Sequence, residues 1–112
     1  MKKIEMIIRP DRAELVKDVL EEVGAGGVTV TSVMGYGAQK GSLDKYRGSE
    51  IPNNLLHKIK IEVVVSDDMV DEVVDKTCEA IKTGEVGDGK LFVIPIDDAV
   101  RVRTGERGDG AL

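Results

Sequence analysis

Apolar residues along this chain change their period in a fixed order, and the order occurs twice. From Lys2 to Ile8 they alternate with polar ones, placing Ile4, Met6 and Ile8 on one side of a predicted strand. Arg9-Pro10 stops that strand. Asp11-Arg12-Ala13-Glu14 then has the form of a capping box, with Asp11 as N-cap and Glu14 closing it. Leu15, Val16, Val19, Leu20 and Val23 follow at helical spacing. Gly24-Ala25-Gly26-Gly27 ends the predicted helix, and Val28 to Met34 forms a second strand. The second half starts at Lys58, after which Ile59, Ile61, Val63 and Val65 alternate. Ser66 or Asp67 is placed to cap the next helix, whose positive end suits Asp67, Asp68, Asp71 and Glu72. Val70, Val73, Val74, Thr77, Cys78 and Ile81 form its apolar stripe, with Cys78 expected in the core. Gly84 ends this helix, and Leu91 to Ile96 is the fourth strand.

Strand-helix-strand twice over predicts an α+β fold in one domain, residues 1–112. It is a ferredoxin-like βαββαβ sandwich with two helices on one face of a four-stranded antiparallel sheet. Val63-Val64-Val65 and Leu91 to Ile94 are apolar at successive positions, the pattern of strands buried on both faces. Two helices cover only one face, so another subunit is expected to cover the other. Between the halves, Ala38 to His57 is polar, contains Gly41, Gly48 and Pro52, and has no clean period. A loop beyond roughly 12–15 residues in a compact domain is usually functional. The density of Gln39, Lys40, Tyr46, Arg47 and Glu50 reads as a recognition loop.

Composition narrows the classes. The chain has 112 residues, a net charge of −5 and a single cysteine, Cys78. That charge argues against binding a nucleic-acid backbone, and one cysteine rules out an intramolecular disulfide. No apolar run approaches the roughly 20 residues of a membrane-spanning helix. Met1-Lys2-Lys3 leads into an alternating segment, so no signal peptide and a cytoplasmic protein are expected. The lone His57 reads as an ordinary loop residue, and the adjacent Asp97 and Asp98 would diverge on either a strand or a helix. No Ser-His-Asp or Cys-His pattern is legible, and catalysis is not expected.

Against this acidic background one stretch stands out. Thr83-Gly84-Glu85-Val86-Gly87-Asp88-Gly89-Lys90 is a glycine-rich turn closed by a lysine, and Arg101-Val102-Arg103 follows the last strand. Glycines let backbone N–H groups approach an anion closely, and arginine forks suit phosphate oxygens. If the segment is extended, Arg101 and Arg103 point to one side. Gly84 to Lys90 matches G-x-x-x-x-G-K, but Leu91 stands where a P-loop has Ser or Thr, and here the helix precedes the loop. A P-loop NTPase is therefore rejected, and a polyphosphate cradle is retained. Gly35 and Gly37 permit another close backbone approach, and Gln39 offers an amide oxygen that suits magnesium.

Taken together, Tyr36-Gly37-Ala38-Gln39-Lys40-Gly41, Tyr46-Arg47-Gly48-Ser49-Glu50, Lys58-Ile59-Lys60, the Thr83–Lys90 loop and Arg101-Val102-Arg103-Thr104-Gly105-Glu106-Arg107 resemble the PII nitrogen-regulatory signal transduction proteins. The resemblance covers essentially the whole chain. It implies a homotrimer, with ATP and ADP competing for clefts between neighbouring subunits. It implies that Thr29, Gly35, Gly37, Ala38, Gln39, Val64, Gly87, Asp88, Gly89 and Lys90 hold the nucleotide while Arg101 and Arg103 reach its phosphates. With Mg2+ and ATP in place, 2-oxoglutarate joins at Gln39, Lys40, Gly41 and Lys58, where Gln39 ligates the metal and Lys58 pairs with a carboxylate. The long segment, about residues 37–57, corresponds to the family's T-loop, whose Tyr46, Arg47 and Gly48 would contact partners. An ammonium transporter is the first expected partner, which would recruit the protein to the membrane; glutamine synthetase or a transcription regulator is the next. Ser49 matches a serine phosphorylated in cyanobacterial members, whereas Ile51 replaces the tyrosine that many members nucleotidylylate. Ala38 and His57 replace a frequent arginine and proline. Alternatives are a divergent adenylate sensor with another effector, a weak nucleotide-hydrolysing enzyme, or a purely structural oligomer.

Overall fold

Alternation at Ile4, Met6 and Ile8 builds β1 (Lys2–Ile8), and Gly24 at φ +75° closes the first helix, α1 (Ala13–Glu22). The α1 terminus is a Schellman turn, in which the Gly24 N–H donates to Glu21 and the Ala25 N–H to Leu20. The computed structural model describes residues 1–36 and 55–112, together with the backbone strands of 43–46 and 49–52. The remaining elements are β2 (Val28–Gly35), β3 (Leu43–Tyr46), β4 (Ser49–Pro52), β5 (Leu56–Val65), α2 (Val70–Ile81) and β6 (Gly89–Pro95). Strands β3 and β4 pair as a separate antiparallel hairpin.

The main sheet has the order β2-β5-β1-β6 with every neighbour antiparallel, as the predicted ferredoxin-like arrangement requires. Ile4, Met6, Ile8, Ile61, Val63 and Val65 face the helices and pack with Val16, Leu20, Val73 and Ile81. Complete burial of each such side chain contributes roughly 1.5–3 kcal/mol, so these ten residues carry the fold.

Several local expectations are corrected. Asp11 does not cap α1: Pro10–Arg12 forms a 3-10 turn, with the Arg12 N–H donating to Arg9, and moves the helix start to Ala13. A second 3-10 turn, Asp67–Met69, does the same at α2, and the Ser66 hydroxyl donates to the Asp68 carboxylate instead of capping. Cys78 is exposed, because it lies about 100° round the helix from the buried Thr77. Helix α2 ends at Ile81, before Gly84. His57 lies in β5, where its Nε2 is 2.7 Å from the Ser32 hydroxyl across the strand pair, and not in a loop.

The helix-free face also departs from expectation. Val64, Phe92 and Ile94 lie on it, but its centre is charged, because Glu5 stands directly opposite Glu62 in the register. Two lysines neutralise that like-charge pair. Lys3 bonds Glu62 at 3.0 Å, and Lys60 lies 3.9 Å from Glu5 and 3.8 Å from Glu62. Val64 is thus the apolar end of a largely polar row, Lys58-Lys60-Glu62-Val64, and β5 is not apolar on both faces.

Candidate functional site

Strand parity decides which face each site residue occupies, and register decides which end. Thr29 stands opposite Glu62, Val64 opposite Lys3, Lys58 opposite Val33, Gly35 opposite Leu56 and Lys90 opposite Ile7. All five therefore share the helix-free face. They do not share one place on it. Lys58, Gly35 and Lys90 gather where β1 ends and β5 and β6 begin. Thr29 and Val64 lie at the opposite end. Thr29 and Gly35 are the second and last residues of the same strand, which puts about 20 Å between them at strand rise.

At the first end the glycine-rich loop is wired from inside. The Asp88 carboxylate accepts the Thr83 N–H at 2.7 Å, the Gly84 N–H at 3.0 Å and the Thr83 hydroxyl, and the Thr83 hydroxyl in turn accepts the Glu85 N–H. Those bonds, the Thr83 hydroxyl first, hold the Asp88 carboxyl down at about 2. Gly87 (φ +98°) and Gly89 (φ +111°) occupy the left-handed region, and a Cβ on Gly89 would lie 2.1 Å from the Ile7 carbonyl oxygen. Two cations grip the loop's carbonyls. Arg9 Nη2 donates to Val86 at 2.7 Å, with Nε 3.4 Å from Asp88, and Lys58 Nζ donates to Gly87 at 3.1 Å. Burial first, and the Arg9 guanidinium second, press the Lys58 ammonium below its ordinary range, while Asp88 opposes them.

At the other end, Arg101 and Arg103 are not on an extended segment. Residues 102–104 form a turn in which the Thr104 and Gly105 N–H groups both donate to the Arg101 carbonyl. Val100 bridges Arg107 across this turn, and Arg107 is anchored to Asp98 at 2.8 Å. The Arg101 guanidinium bonds Glu106 at 3.1 Å and the Leu112 carbonyl at 3.3 Å. Leu112 lies against Gly26, just before β2, which fixes this turn at the Thr29 end of the sheet. Arg103 is exposed and makes no intrachain hydrogen bond or ion pair among the described residues.

Gly37, Ala38, Gln39, Lys40, Gly41, Arg47 and Gly48 lie outside the described residues, as do the side chains of Tyr46 and Ser49. Among the described residues no cluster of His, Cys, Asp and Glu could hold a metal ion, and no helix is long and apolar enough to cross a membrane. A groove of about 420 Å³ between α1 and β2, lined by Lys17, Leu20, Val28 and Val30 among others, contains none of the expected site residues.

The family model for nitrogen regulatory protein P-II matches residues 1–106. The chain belongs to the P-II family. It is 51% identical to a nitrogen regulatory protein P-II of Synechocystis and 50% identical to one of Microchaete diplosiphon, each over the full 112 residues of both chains. A P-II homolog of Oryza sativa is 50% identical over 110 residues, covering 97% of this chain and 52% of the rice protein. Membership makes this chain a nitrogen signal-transduction regulator, and its P-II relatives carry a regulatory name and not an enzyme's.

Sequence reasoning missed Arg9. Its signal was there: Lys3, Glu5, Ile7 and Arg9 share the odd parity of the first strand, the face on which Lys58 and Lys90 also lie. The sequence likewise gives no sign that the Asp88 side chain, by accepting from Thr83 and Gly84, organises the loop from within.

Proposed function

We propose that the protein is a homotrimeric sensor that binds ATP or ADP in clefts between subunits. In this reading 2-oxoglutarate joins Mg-ATP, and the sensor reports to partner proteins through its T-loop. The observation that carries the proposal is the division of the phosphate-binding groups. The glycine loop with Lys90 lies at one end of the helix-free face, and the Arg101–Arg103 turn with Thr29 and Val64 lies at the other, about 20 Å away along β2. One phosphate group cannot touch both ends of one chain. A neighbouring copy supplies the second end if the helix-free faces meet, and a cyclic trimer repeats that contact at every interface.

Within such a cleft the roles follow the chemistry. Gly35, Gly37, Ala38, Gln39, Thr29 and Val64 contact the nucleotide, and the Gly87-Asp88-Gly89 backbone with Lys90 cradles its phosphates. Arg103, without an intrachain partner among the described residues, closes on those phosphates first, and Arg101 exchanges Glu106 for them. Gln39 would supply an amide oxygen to hold a magnesium ion, which would offset the negative charge of the nucleotide's phosphates. Lys58 is disfavoured as a cation by burial first and by Arg9 second, so a carboxylate of 2-oxoglutarate would offset both while Lys40 and Gly41 line the site. Tyr46, Arg47 and Gly48 meet the partner, an ammonium transporter at the membrane before glutamine synthetase or a transcription regulator. Ser49 is a candidate for phosphorylation.

Titration calorimetry of 2-oxoglutarate with Mg-ATP, with ADP and without nucleotide tests the reading. Binding only with Mg-ATP, lost in Lys58→Ala, supports it. Nucleotide binding without any response to 2-oxoglutarate would favour the divergent sensor, for which the replaced residues Ala38 and His57 speak.

A further inference from the structure

Arg9 belongs to none of the roles above, yet it makes the shortest side-chain contact to a loop carbonyl at the glycine-rich end, 2.7 Å from Nη2 to the Val86 oxygen. Its own backbone is fixed, because Ile8 ends β1 before it and Pro10 opens the 3-10 turn after it. The neighbouring carbonyl, Gly87, accepts from Lys58. Successive carbonyls are thus drawn toward two cations on the sheet. In a trans peptide the N–H points opposite to the C=O of the same unit. Drawing the Val86 carbonyl inward therefore turns the Gly87 N–H away from Arg9. That N–H has no intrachain hydrogen bond among the described residues, whereas the Asp88 N–H is turned toward the Glu85 carbonyl across the 86–87 turn. An outward amide at a left-handed glycine is a donor that an anion can approach closely. Arg9 also reaches Asp88, whose carboxylate ties down the Thr83 and Gly84 amides at the loop's other side.

We propose that Arg9 is a positioning residue of the nucleotide site, a fixed clamp that orients the Val86–Gly87 peptide so that its amide is presented to phosphate. The inference rests on the nucleotide-binding reading above. Lys58 is the exchangeable half of the clamp, since it is the cation that an incoming carboxylate would take. Arg9 keeps the loop in register when Lys58 is engaged elsewhere.

The test uses Arg9→Met, which removes the guanidinium, Arg9→Lys, which keeps the charge but loses the fork, and Asp88→Asn. Oligomeric state is checked by light scattering and ATP affinity is measured by calorimetry. The expected result is a rise in the ATP Kd of about tenfold in Arg9→Met, the loss of one charge-assisted hydrogen bond, with Arg9→Lys intermediate. Arg9→Met combined with Asp88→Asn should be little worse than the worse single variant, because both act through the same loop. Hydrogen exchange in the nucleotide-free protein should speed up at Thr83 and Gly84 while the β1 amides keep their protection. Two results overturn the clamp: an unchanged Kd in Arg9→Met, or strictly additive losses in the double variant, which would mean that Arg9 meets the nucleotide directly. An unsubstituted protein that binds no ATP would instead defeat the functional reading, and the clamp with it.

Discussion

If the two halves of the nucleotide site come from different subunits, defects in opposite halves should complement each other. Lys90→Ala disables the glycine-loop end, and Arg103→Ala the turn end. Both side chains are exposed and make no intrachain hydrogen bond or ion pair among the described residues, so neither change disturbs the fold. Each homotrimer loses a charge-assisted contact at every cleft, worth about 1.5–3 kcal/mol or roughly ten- to hundredfold in Kd. In a cyclic trimer containing both variants, a single cleft joins an intact glycine loop to an intact arginine turn, whichever variant is in excess. Hetero-trimers purified through two different tags should therefore show about one tight ATP site per trimer, against about three for the unsubstituted protein. Random mixing without purification should restore about a quarter of all clefts. Calorimetric stoichiometry reads this directly. Hetero-trimers with no tight site would refute the reasoning, since they would place both groups in a cleft built by one chain, across the separation of about 20 Å that the β2 register sets.

Other expectations follow from single positions. The Asp88 carboxyl is lowered from its ordinary 3.8 to about 2, so its contribution to loop order is complete above 3.8 and is lost as pH falls through about 2. A carboxyl NMR titration of Asp88 should inflect near 2, and an inflection at 3.8 would contradict the loop wiring. The Thr77 hydroxyl is fully buried without a hydrogen-bond partner, so Thr77→Val should raise stability by about 1 kcal/mol in urea melts at equal protein concentration. No gain would mean that the hydroxyl is satisfied. Gly89→Ala would place a Cβ 2.1 Å from the Ile7 carbonyl oxygen at φ +111°, and should cost at least about 2 kcal/mol in the same assay, while wild-type stability would show that the start of β6 can shift.

The hydrophobic period was enough to find the sheet, because Ile4, Met6 and Ile8 alternate and Arg9-Pro10 marks the end of β1 where the backbone ends it. It failed where a backbone device outside the pattern intervened. The two 3-10 turns move both helix starts past their apparent caps, since a turn that satisfies the first N–H groups leaves Asp11 and Ser66 no cap to make. Cys78 looked buried because a stripe of six positions is wider than the face α2 turns to the sheet, and Cys78 lies beyond its buried residues Val73, Thr77 and Ile81. The groups of the proposed site can be named from the sequence but not placed by it. Loop glycines, Lys90 and the arginines could be named from chemistry, but which end of the sheet each occupies depends on the β2-β5-β1-β6 order, a long-range fact that no local period contains.

That order also explains why the helix-free face is polar at its centre. Burying a like-charge pair such as Glu5 and Glu62 is tolerable only when cations neutralise it, and Lys3 and Lys60 do so within the chain. A face neutralised in this way can approach another such face with a smaller electrostatic penalty than four unpaired charges would impose. Its apolar margin at Val64, Phe92 and Ile94 can then supply contact area. The glycine loop and the arginine turn lie at the ends of this face, beyond the ion pairs. A neighbour docked across the centre would bring one subunit's Arg103 toward another's Gly87–Lys90 loop without either chain having to rearrange its core.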